Sequence, residues 1–296
     1  MAMPQHNATD AKSTDGSPDI TRASVEFRNV CKGFGEHFER EEVVENFSLT
    51  LEPRQLTALV GPSGCGKSCI VNLVAGYEKP DTGSVLLNGK PIAGAAKDRM
   101  VVFQETALFP WLTTYQNVVF GPKLRGEITG ARLRERAMDI LKTVGLTEFK
   151  DKYPSQLSGG MQRRAELARA MINDPLLMIM DEPFRGLDAM TRELMQEFFL
   201  RLFERNQRTN LFVTSEIEEA IFLADKLVVL SSRPTTVRSV ITINLPRPRD
   251  FHMLNSPEAY DYKREALEIL HEEAMKDFGR TSQSDFLEAF ARRAGD

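Results

Sequence analysis

One stretch of this sequence, residues 61–68, reads Gly61-Pro62-Ser63-Gly64-Cys65-Gly66-Lys67-Ser68 and matches the pattern G-x-x-x-x-G-K-[ST] in full. The apolar run Leu56 to Val60 precedes it, and the helical pattern Ile70 to Ala75 follows it. In this context the glycines let backbone N–H groups converge on an anion, and the helix directs its positive end toward that anion. The sequence therefore predicts a phosphate-binding loop, with nucleotide contacts from Gly61 through Cys69, and not a chance glycine-rich turn.

Four side chains near this loop have the chemistry for hydrolysis of a nucleoside triphosphate. Lys67 can reach the β- and γ-phosphates, and the Ser68 hydroxyl suits Mg²⁺. Phosphoryl transfer to water also requires a group that orients the water. Asp181 and Glu182 end the apolar run Leu176 to Met180, which makes Asp181 a candidate metal ligand and Glu182 the candidate general base. The alternative for these two carboxylates is a solvated strand end with a helix cap.

A second motif reads Leu157-Ser158-Gly159-Gly160-Met161-Gln162 and opens a helical pattern. On its own, this Ser-Gly-Gly could be only a helix N-cap with a loose entry. Here it lies between the phosphate loop and the strand that ends in Asp181-Glu182-Pro183. Over about residues 24 to 250, this order resembles the ATPase subunits of ABC transporters, with Ser-Gly-Gly as their signature motif and the acidic strand end as their Walker B.

The resemblance implies roles for further residues. Val101 to Gln104 corresponds to the Q-loop, in which the Gln104 side chain would complete the Mg²⁺ shell, and Leu187-Asp188 corresponds to the D-loop. Phe34 fits the position that stacks on adenine, although core packing of Phe34 or of Phe38 is an equally open alternative. The resemblance implies that Ser158, Gly159 and Gly160 close over the γ-phosphate of a partner subunit, so that a head-to-tail dimer traps two ATP molecules.

A narrower branch is also similar to this chain. This branch comprises importer ATPases for nitrate, taurine, aliphatic sulfonates and related solutes. Three segments carry the likeness: residues 109–113, 222–225 and 245–249. The resemblance implies transmembrane permease partners, a second copy of this chain or a related ATPase, and indirectly a solute-binding protein. Phe109, Trp111 and Leu112 are candidates for the permease surface, with core packing as the alternative. The expected location is the cytoplasmic face of the inner membrane, where this subunit would not contact the solute.

The sequence departs from this family at one position of the site. Members of this family usually have a histidine that contacts the γ-phosphate, followed by an aspartate, after the strand that corresponds to Leu211 to Thr214, whereas this chain has Ser215-Glu216. Serine can donate a hydrogen bond, but it is shorter and cannot carry a positive charge. Hydrolysis could be slow, or this chain could be a regulatory or weakly active subunit paired with a different ATPase chain. Because Glu182 is retained, we expect an active ATPase. Smaller departures lie at Arg54-Gln55 and Arg185-Gly186.

Composition excludes several other classes. A net charge of −4 and a pI near 5.8 give no electrostatic case for nucleic acid. No apolar stretch approaches the roughly 18–20 residues that a bilayer span requires, and the N-terminus has no signal-peptide pattern, so we expect the chain to stay where it is made. Cys31, Cys65 and Cys69 are interpreted as reduced thiols, and the scattered histidines suggest no metal cluster. A ribosome- or DNA-directed ABC ATPase would be expected to carry two cassettes or a long coiled coil.

The pattern along the chain predicts an α/β fold: a P-loop ATPase core with a mostly parallel sheet, an antiparallel β layer, an inserted helical subdomain and C-terminal helices. Residues 1–22 are expected to be a disordered tail, 23–250 the ATPase domain with its helical subdomain at about 112–160, and 251–296 a helical extension. Within that extension, Ser256-Pro257 should start one helix and Ser284 another. The extension could cover its own domain, or act as a lid, dimer contact or regulatory segment.

Overall fold

The computed structural model describes residues 23–35 and 40–293, with the backbone alone for residues 277–293. The predicted disordered tail, residues 1–22, and Phe38 lie outside the described residues. Ten strands are described: β1 (Val25–Phe34), β2 (Glu41–Leu51), β3 (Leu56–Val60), β4 (Thr82–Leu87), β5 (Lys90–Pro91), β6 (Arg99–Val102), β7 (Leu177–Asp181), β8 (Thr209–Val213), β9 (Lys226–Leu230) and β10 (Val237–Thr242).

Seven α-helices complete the described chain: α1 (Lys67–Ala75), α2 (Thr114–Arg125), α3 (Gly130–Thr143), α4 (Gly159–Met171), α5 (Ala189–Asn206), α6 (Ile217–Leu223) and α7 (Pro257–Arg293). Short 3-10 turns lie at Thr147–Phe149, Pro154–Gln156 and Phe251–Asn255. No helix among the described residues is long and apolar enough to cross a membrane.

The central element is a six-stranded sheet in the order β10-β9-β3-β8-β7-β6. Four of its five strand pairings are parallel, and the fifth, between the edge strand β10 and β9, is antiparallel. The parallel strands are short apolar runs because helices cover both faces of the sheet, which leaves no solvated face for polar residues. The mostly parallel sheet predicted from those runs is confirmed. Its carboxyl edge collects the loops that follow β3, β6, β7 and β8.

A second sheet, β2-β1-β4-β5, is antiparallel and forms the predicted separate layer. Asn88 and Gly89, with φ of 50° and 74°, make the predicted hairpin turn between β4 and β5. Asn and Gly adopt this left-handed conformation more readily than other residues. The inner face of this layer packs with α1 against the main sheet, and Phe27 and Phe47 meet there edge to face at 5.2 Å.

Helices α2 and α3 and one face of α4 form a small helical subdomain with its own core, which includes Leu141, Val144 and Leu146. A capping box starts α2, in which the Thr113 hydroxyl accepts from the Gln116 N–H and the Gln116 side chain accepts from the Thr113 N–H. Such reciprocal bonds satisfy two amide donors that a helix leaves unpaired at its start. The subdomain occupies the region where the sequence turns helical and charged.

The C-terminal helix α7 begins at Pro257, and the Ser256 hydroxyl caps it by accepting from the Ala259 N–H at 3.1 Å. Its predicted apolar face packs on the core beside the main sheet, with Ala259 and Ala266 fully enclosed. The helix therefore covers apolar surface of its own domain.

The prediction of a second helix starting near Ser284 is wrong, because α7 runs without a break to Arg293. Residues 277–284 contain no proline. A single helical glycine, Gly279, costs only about 1 kcal/mol, which is too little to end the helix.

We predict that Ala266→Asp destabilises the protein by about 3 kcal/mol or more, because it places an unpaired carboxylate in the core under α7. The neighbouring change Leu267→Asp is the control, since Leu267 is 45% exposed. Urea denaturation of both variants measures the difference. Equal midpoints for the two variants would show that α7 is not held by this face.

Candidate active site

A cleft of about 580 Å³ opens at the carboxyl edge of the main sheet. Parallel strands bring the loops that follow them to the same edge, so residues distant in sequence meet there. The cleft is lined by most of the residues that the sequence predicted as site residues: Phe34, Ser63, Gly64, Gly66, Lys67, Ser68, Cys69, Gln104, Asp181, Glu182 and Ser215. Ser158, Gly159 and Gly160 do not line it.

The phosphate loop connects β3 to α1 and holds two glycines in the left-handed region, Gly64 at φ 75° and Gly66 at φ 119°. A Cβ at Gly66 would lie 2.7 Å from the Thr235 hydroxyl and 2.9 Å from Cγ1 of Val43. Val43 and Thr235 thus pack closely against the loop, and only glycine fits at position 66. The Thr235 hydroxyl also donates to the Cys65 carbonyl, which fixes the loop further.

Lys67 folds back over the loop, and its Nζ donates to the carbonyls of Gly61 at 2.8 Å and Pro62 at 3.0 Å. Gly61, Pro62 and Cys65 therefore hold the loop and its lysine, whereas the other loop residues line the cleft. Burial raises the pKa of the Cys65 thiol, and raises that of the Cys69 thiol to about 11. Both thiols are protonated at neutral pH, and none of the three cysteines forms a disulfide.

Asp181 ends β7 directly beside the loop, where it accepts a hydrogen bond from the Ser68 hydroxyl. Burial, followed by the neighbouring Glu182 carboxylate, raises the pKa of Asp181, while Ser68 and Lys67 act in the opposite direction. The half-buried carboxylate of Asp181, the Ser68 hydroxyl and the amide oxygen of Gln104 in one cleft form the set of oxygen donors that Mg²⁺ prefers. The residues present therefore fit the predicted metal.

Glu182 follows in a left-handed conformation, φ 44°, with its N–H bonded to the Val213 carbonyl at 2.8 Å. This turn directs its side chain into the cleft, where Oε2 accepts from Nη1 of Arg185 at 2.6 Å. The Glu182 side chain is 11% exposed and that of Arg185 is 61% exposed. The candidate base is therefore paired with a cation at the surface of the cleft.

Ser215 lies on the turn after β8, and a buried network holds the turn in place. The carboxylate of Glu219 accepts from the Thr214 hydroxyl and from the Gln196 amide, the latter at 2.7 Å. Burial raises the pKa of Glu219, whereas the bonds from Thr214 and Gln196 oppose the change. The Thr214 hydroxyl also accepts from the Glu216 N–H at 3.0 Å. Position 215 is thereby fixed at the cleft wall.

The segment that carries Gln104 is bound to helix α4 by buried charges. The Arg163 guanidinium donates to the carbonyls of Phe103 and Gln104, each at 2.6 Å, and to Glu166 at 2.6 Å. Glu166 in turn accepts from the Ala107 N–H at 2.8 Å. Burial lowers the pKa of Arg163 and raises that of Glu166, and each partner opposes the shift of the other.

The Ser-Gly-Gly motif starts the same helix α4 away from the cleft. The Ser158 hydroxyl accepts from the Met161 N–H at 3.4 Å, so it is the N-cap of α4. A Cβ at Gly160 would lie 2.9 Å from Cγ2 of Thr191, so close packing against the start of α5 requires glycine there. This motif contributes nothing to the cleft of its own chain.

Phe34 lies on the cleft and is 42% exposed, so the core-packing alternative for it is wrong.

Sequence reasoning missed five cleft residues: Glu41, Val43, Asn72, Arg185 and Arg233. Arg233 joins two of these regions, because it donates to the Gly64 carbonyl and to the Glu41 carboxylate, each at 2.7 Å. Of these five residues, only Arg185 stood out in the sequence, because Arg185-Gly186 departs from the family pattern.

Comparison with known proteins gives one family. The ABC transporter family profile matches residues 44–185. The chain is 40% identical to an uncharacterized ABC transporter ATP-binding protein of Methanocaldococcus jannaschii, over 87% of this chain and 95% of that protein. It is 39% identical to the bicarbonate transport ATP-binding protein CmpD of Synechocystis, over 91% and 94% of the two chains. It is also 39% identical to the nitrate import ATP-binding protein NrtD of Synechocystis, over 77% and 87%.

A solved structure supports the same assignment. It is a dimeric ATP-binding cassette in a post-hydrolysis state, bound to ADP and Pi, and it is 28% identical to this chain. The match covers 75% of this chain and all of that one, with a TM-score of 0.65.

We predict that Asp181→Asn stabilises the nucleotide-free protein at neutral pH. The pKa of Asp181 in the folded state is raised above the ordinary value of 3.8. As the pH rises from 3.8 to this raised pKa and beyond it, ionisation of Asp181 increasingly opposes folding. The gain should shrink as the pH falls toward 3.8. Thermal unfolding from pH 4 to 8 measures it, with exposed Asp151→Asn as the control. A variant less stable than wild type at pH 7 would contradict the prediction.

Proposed function

This chain belongs to the ATP-binding family of ABC transporters, and we propose that it is the ATP-hydrolysing subunit of an importer for a small polar solute. The observation that carries the proposal is the cleft that brings Lys67, Ser68, Gln104, Asp181 and Glu182 together. No residue of the described chain favours the alternative of a silent regulatory subunit, since the candidate base and the candidate metal ligands all face this one cleft.

The role of each residue in the cleft follows from its position. Loop amides and Lys67 bind the β- and γ-phosphates, and Phe34 offers its exposed ring to adenine at the mouth of the cleft. Mg²⁺, held by Ser68, Asp181 and Gln104, supplies charge neutralisation at the phosphates when bound. Glu182 accepts the proton of the attacking water. The water oxygen bonds to the γ-phosphorus while the bond to the bridging oxygen breaks, which releases ADP and phosphate.

A second subunit is needed to complete this site. Ser158 and the following glycines start a helix with free amide donors, yet they lie away from the cleft of their own chain. Such a helix start binds anions. In a head-to-tail pair, each chain would direct this motif to the γ-phosphate held by the other. The dimeric relative bound to ADP and Pi supports this arrangement.

An exposed aromatic surface lies beside the segment that carries Gln104. Trp111 is 69% exposed, so the core-packing alternative is wrong, and its ring lies 5.6 Å from that of Phe109. Phe120 and Leu124 extend this surface along α2, with the Phe120 ring 4.7 Å from Phe109. An apolar patch of this kind suits a partner protein. We assign it to a transmembrane permease, which places the chain at the cytoplasmic face of the membrane.

The solute is a small polar species of the nitrate, bicarbonate, sulfonate or taurine kind. The relatives named for nitrate import and bicarbonate transport support this class. A solute-binding protein would deliver it to the permease. Uptake of labelled nitrate, bicarbonate and taurine into vesicles that contain the complex co-purified with this chain would test the assignment.

We predict that Lys67→Ala lowers ATP affinity by about 100-fold or more, because it removes the main cation at the β- and γ-phosphates. Exposed Lys97→Ala, which loses the same charge outside the cleft, is the control. Calorimetric titration with ATP measures both. Equal ATP affinity in the two variants would refute the nucleotide site.

We predict that Glu182→Gln retains ATP binding, lowers kcat by about 10²- to 10⁴-fold and accumulates a dimer at saturating ATP, because it removes the base and a repelling charge while it keeps the shape. Steady-state ATPase assays and size-exclusion chromatography measure the two effects. Glu193→Gln on the exposed side of α5 is the matched control. Normal turnover in Glu182→Gln would exclude the assigned role.

A further inference from the structure

The two departures at Ser215 and Arg185 lie on the same cleft wall. Both side chains line the main cleft together with Glu182, and both also line a smaller recess of about 150 Å³ beside it. In sequence they are 30 residues apart, on the loops after β7 and β8, which are adjacent parallel strands. The neutral residue at one position therefore lies close to an arginine at the other.

Carboxylates line the main cleft beside Arg185, and a further arginine, Arg192, lines the smaller recess but not the main cleft. Asp181 and Glu182 face the space where the terminal phosphate would lie, and Ser215 adds no charge to it. Lys67 lies at the loop, bonded to the carbonyls of Gly61 and Pro62. Even with Lys67 and a bound Mg²⁺ at the phosphates, a terminal phosphate that approaches Glu182 would meet a like charge there, which a cation beside Glu182 would offset. Electrostatic stabilisation of the charge on the transferring phosphoryl group is a large part of catalysis in such reactions.

The Arg185 side chain is free to reorient. Its guanidinium bonds to Glu182, its one hydrogen-bond partner among the described residues, and it is 61% exposed, whereas the Glu182 side chain is 11% exposed. A guanidinium can bind a phosphate through two parallel hydrogen bonds, which would replace its bond to Glu182. The backbone also favours this position, because Gly186 at φ 82° follows and the Arg185 N–H bonds back to the Glu182 carbonyl at 3.1 Å.

We propose that Arg185 is a second cation for the terminal phosphate, which exchanges Glu182 for the γ-phosphate when ATP binds and fulfils the role that neutral Ser215 cannot. This inference rests on the proposed ATPase function. The exchange frees the Oε2 atom of Glu182 to accept the proton of the water. In the step that follows, the water oxygen bonds to the γ-phosphorus, the bond to the bridging oxygen breaks with its electron pair leaving on ADP, and the water proton passes to Glu182.

The proposal predicts that Arg185→Ala lowers kcat by about 10- to 100-fold, as expected for loss of a charge-assisted bond to the reacting group. It should weaken binding of the non-hydrolysable analogue AMP-PNP by about tenfold and leave ADP affinity unchanged, since ADP has no γ-phosphate. Added guanidinium ion should restore part of the turnover of Arg185→Ala, and Arg185→Lys should retain part of it. The control is Arg201→Ala, which removes an exposed arginine from α5 outside the cleft.

A second variant tests the link to Ser215. In the Arg185→Ala background, Ser215→His should raise kcat again by about tenfold, because an imidazole reaches farther than a hydroxyl and can carry a positive charge. Circular dichroism and thermal unfolding confirm that each variant is folded before it is assayed. These experiments use the full-length chain in the complex that co-purifies with it.

Two results would overturn the proposal. An unchanged kcat in Arg185→Ala would show that the arginine does not contact the reacting phosphate. An increased kcat would show that Arg185 only blocks Glu182. Neither result would mean that the proposed function has failed. The ATPase function is established separately if the wild type turns over ATP and Lys67→Ala abolishes that turnover.

Discussion

Parallel pairing of β3, β6, β7 and β8 is the constraint on which the rest of this structure depends. Because the four strands point the same way, the loops that leave them emerge at one edge, and residues that are 152 positions apart, Ser63 and Ser215, share a cleft. The register is fixed by strands whose side chains are buried on both faces, so a slip would disturb both cores at once. The packing of the apolar strands thus determines the relative positions of the residues in the cleft.

Charge within the cleft is arranged so that each ionised group has a partner before nucleotide arrives. Lys67 is bonded to loop carbonyls, Asp181 to the Ser68 hydroxyl and Glu182 to Arg185. These contacts keep a concentrated set of charges compatible with folding, yet Asp181 still opposes folding through its raised pKa. Triphosphate and its metal would replace these internal partners. Part of the free energy of binding would therefore be used to break these internal hydrogen bonds and the one ion pair.

Much of the fold and site could be predicted from sequence because the signals are local. The P-loop glycines, the Asn88-Gly89 turn and the Ser256 cap each specify backbone geometry within a few residues. The remainder depends on distant contacts. The bond from Arg233 to Gly64 spans 169 positions, and the contact of Arg185 with Glu182 needs the left-handed turn at Glu182. Helix α7 continues past Ser284 because a serine that could cap a helix is also tolerated within one.

The Arg163–Glu166 pair restricts how this chain can diverge. Both side chains are buried. Loss of Glu166 would leave the Arg163 charge and the Ala107 N–H without their partner, and loss of Arg163 would leave the Phe103 and Gln104 carbonyls without its hydrogen bonds. Removing one partner of such a pair costs about 3–5 kcal/mol, whereas exchanging both for well-packed neutral residues can cost little. The two positions therefore form an epistatic unit. Across descendants of this sequence, residues 163 and 166 are expected to change together, and single replacements at either position should be depleted.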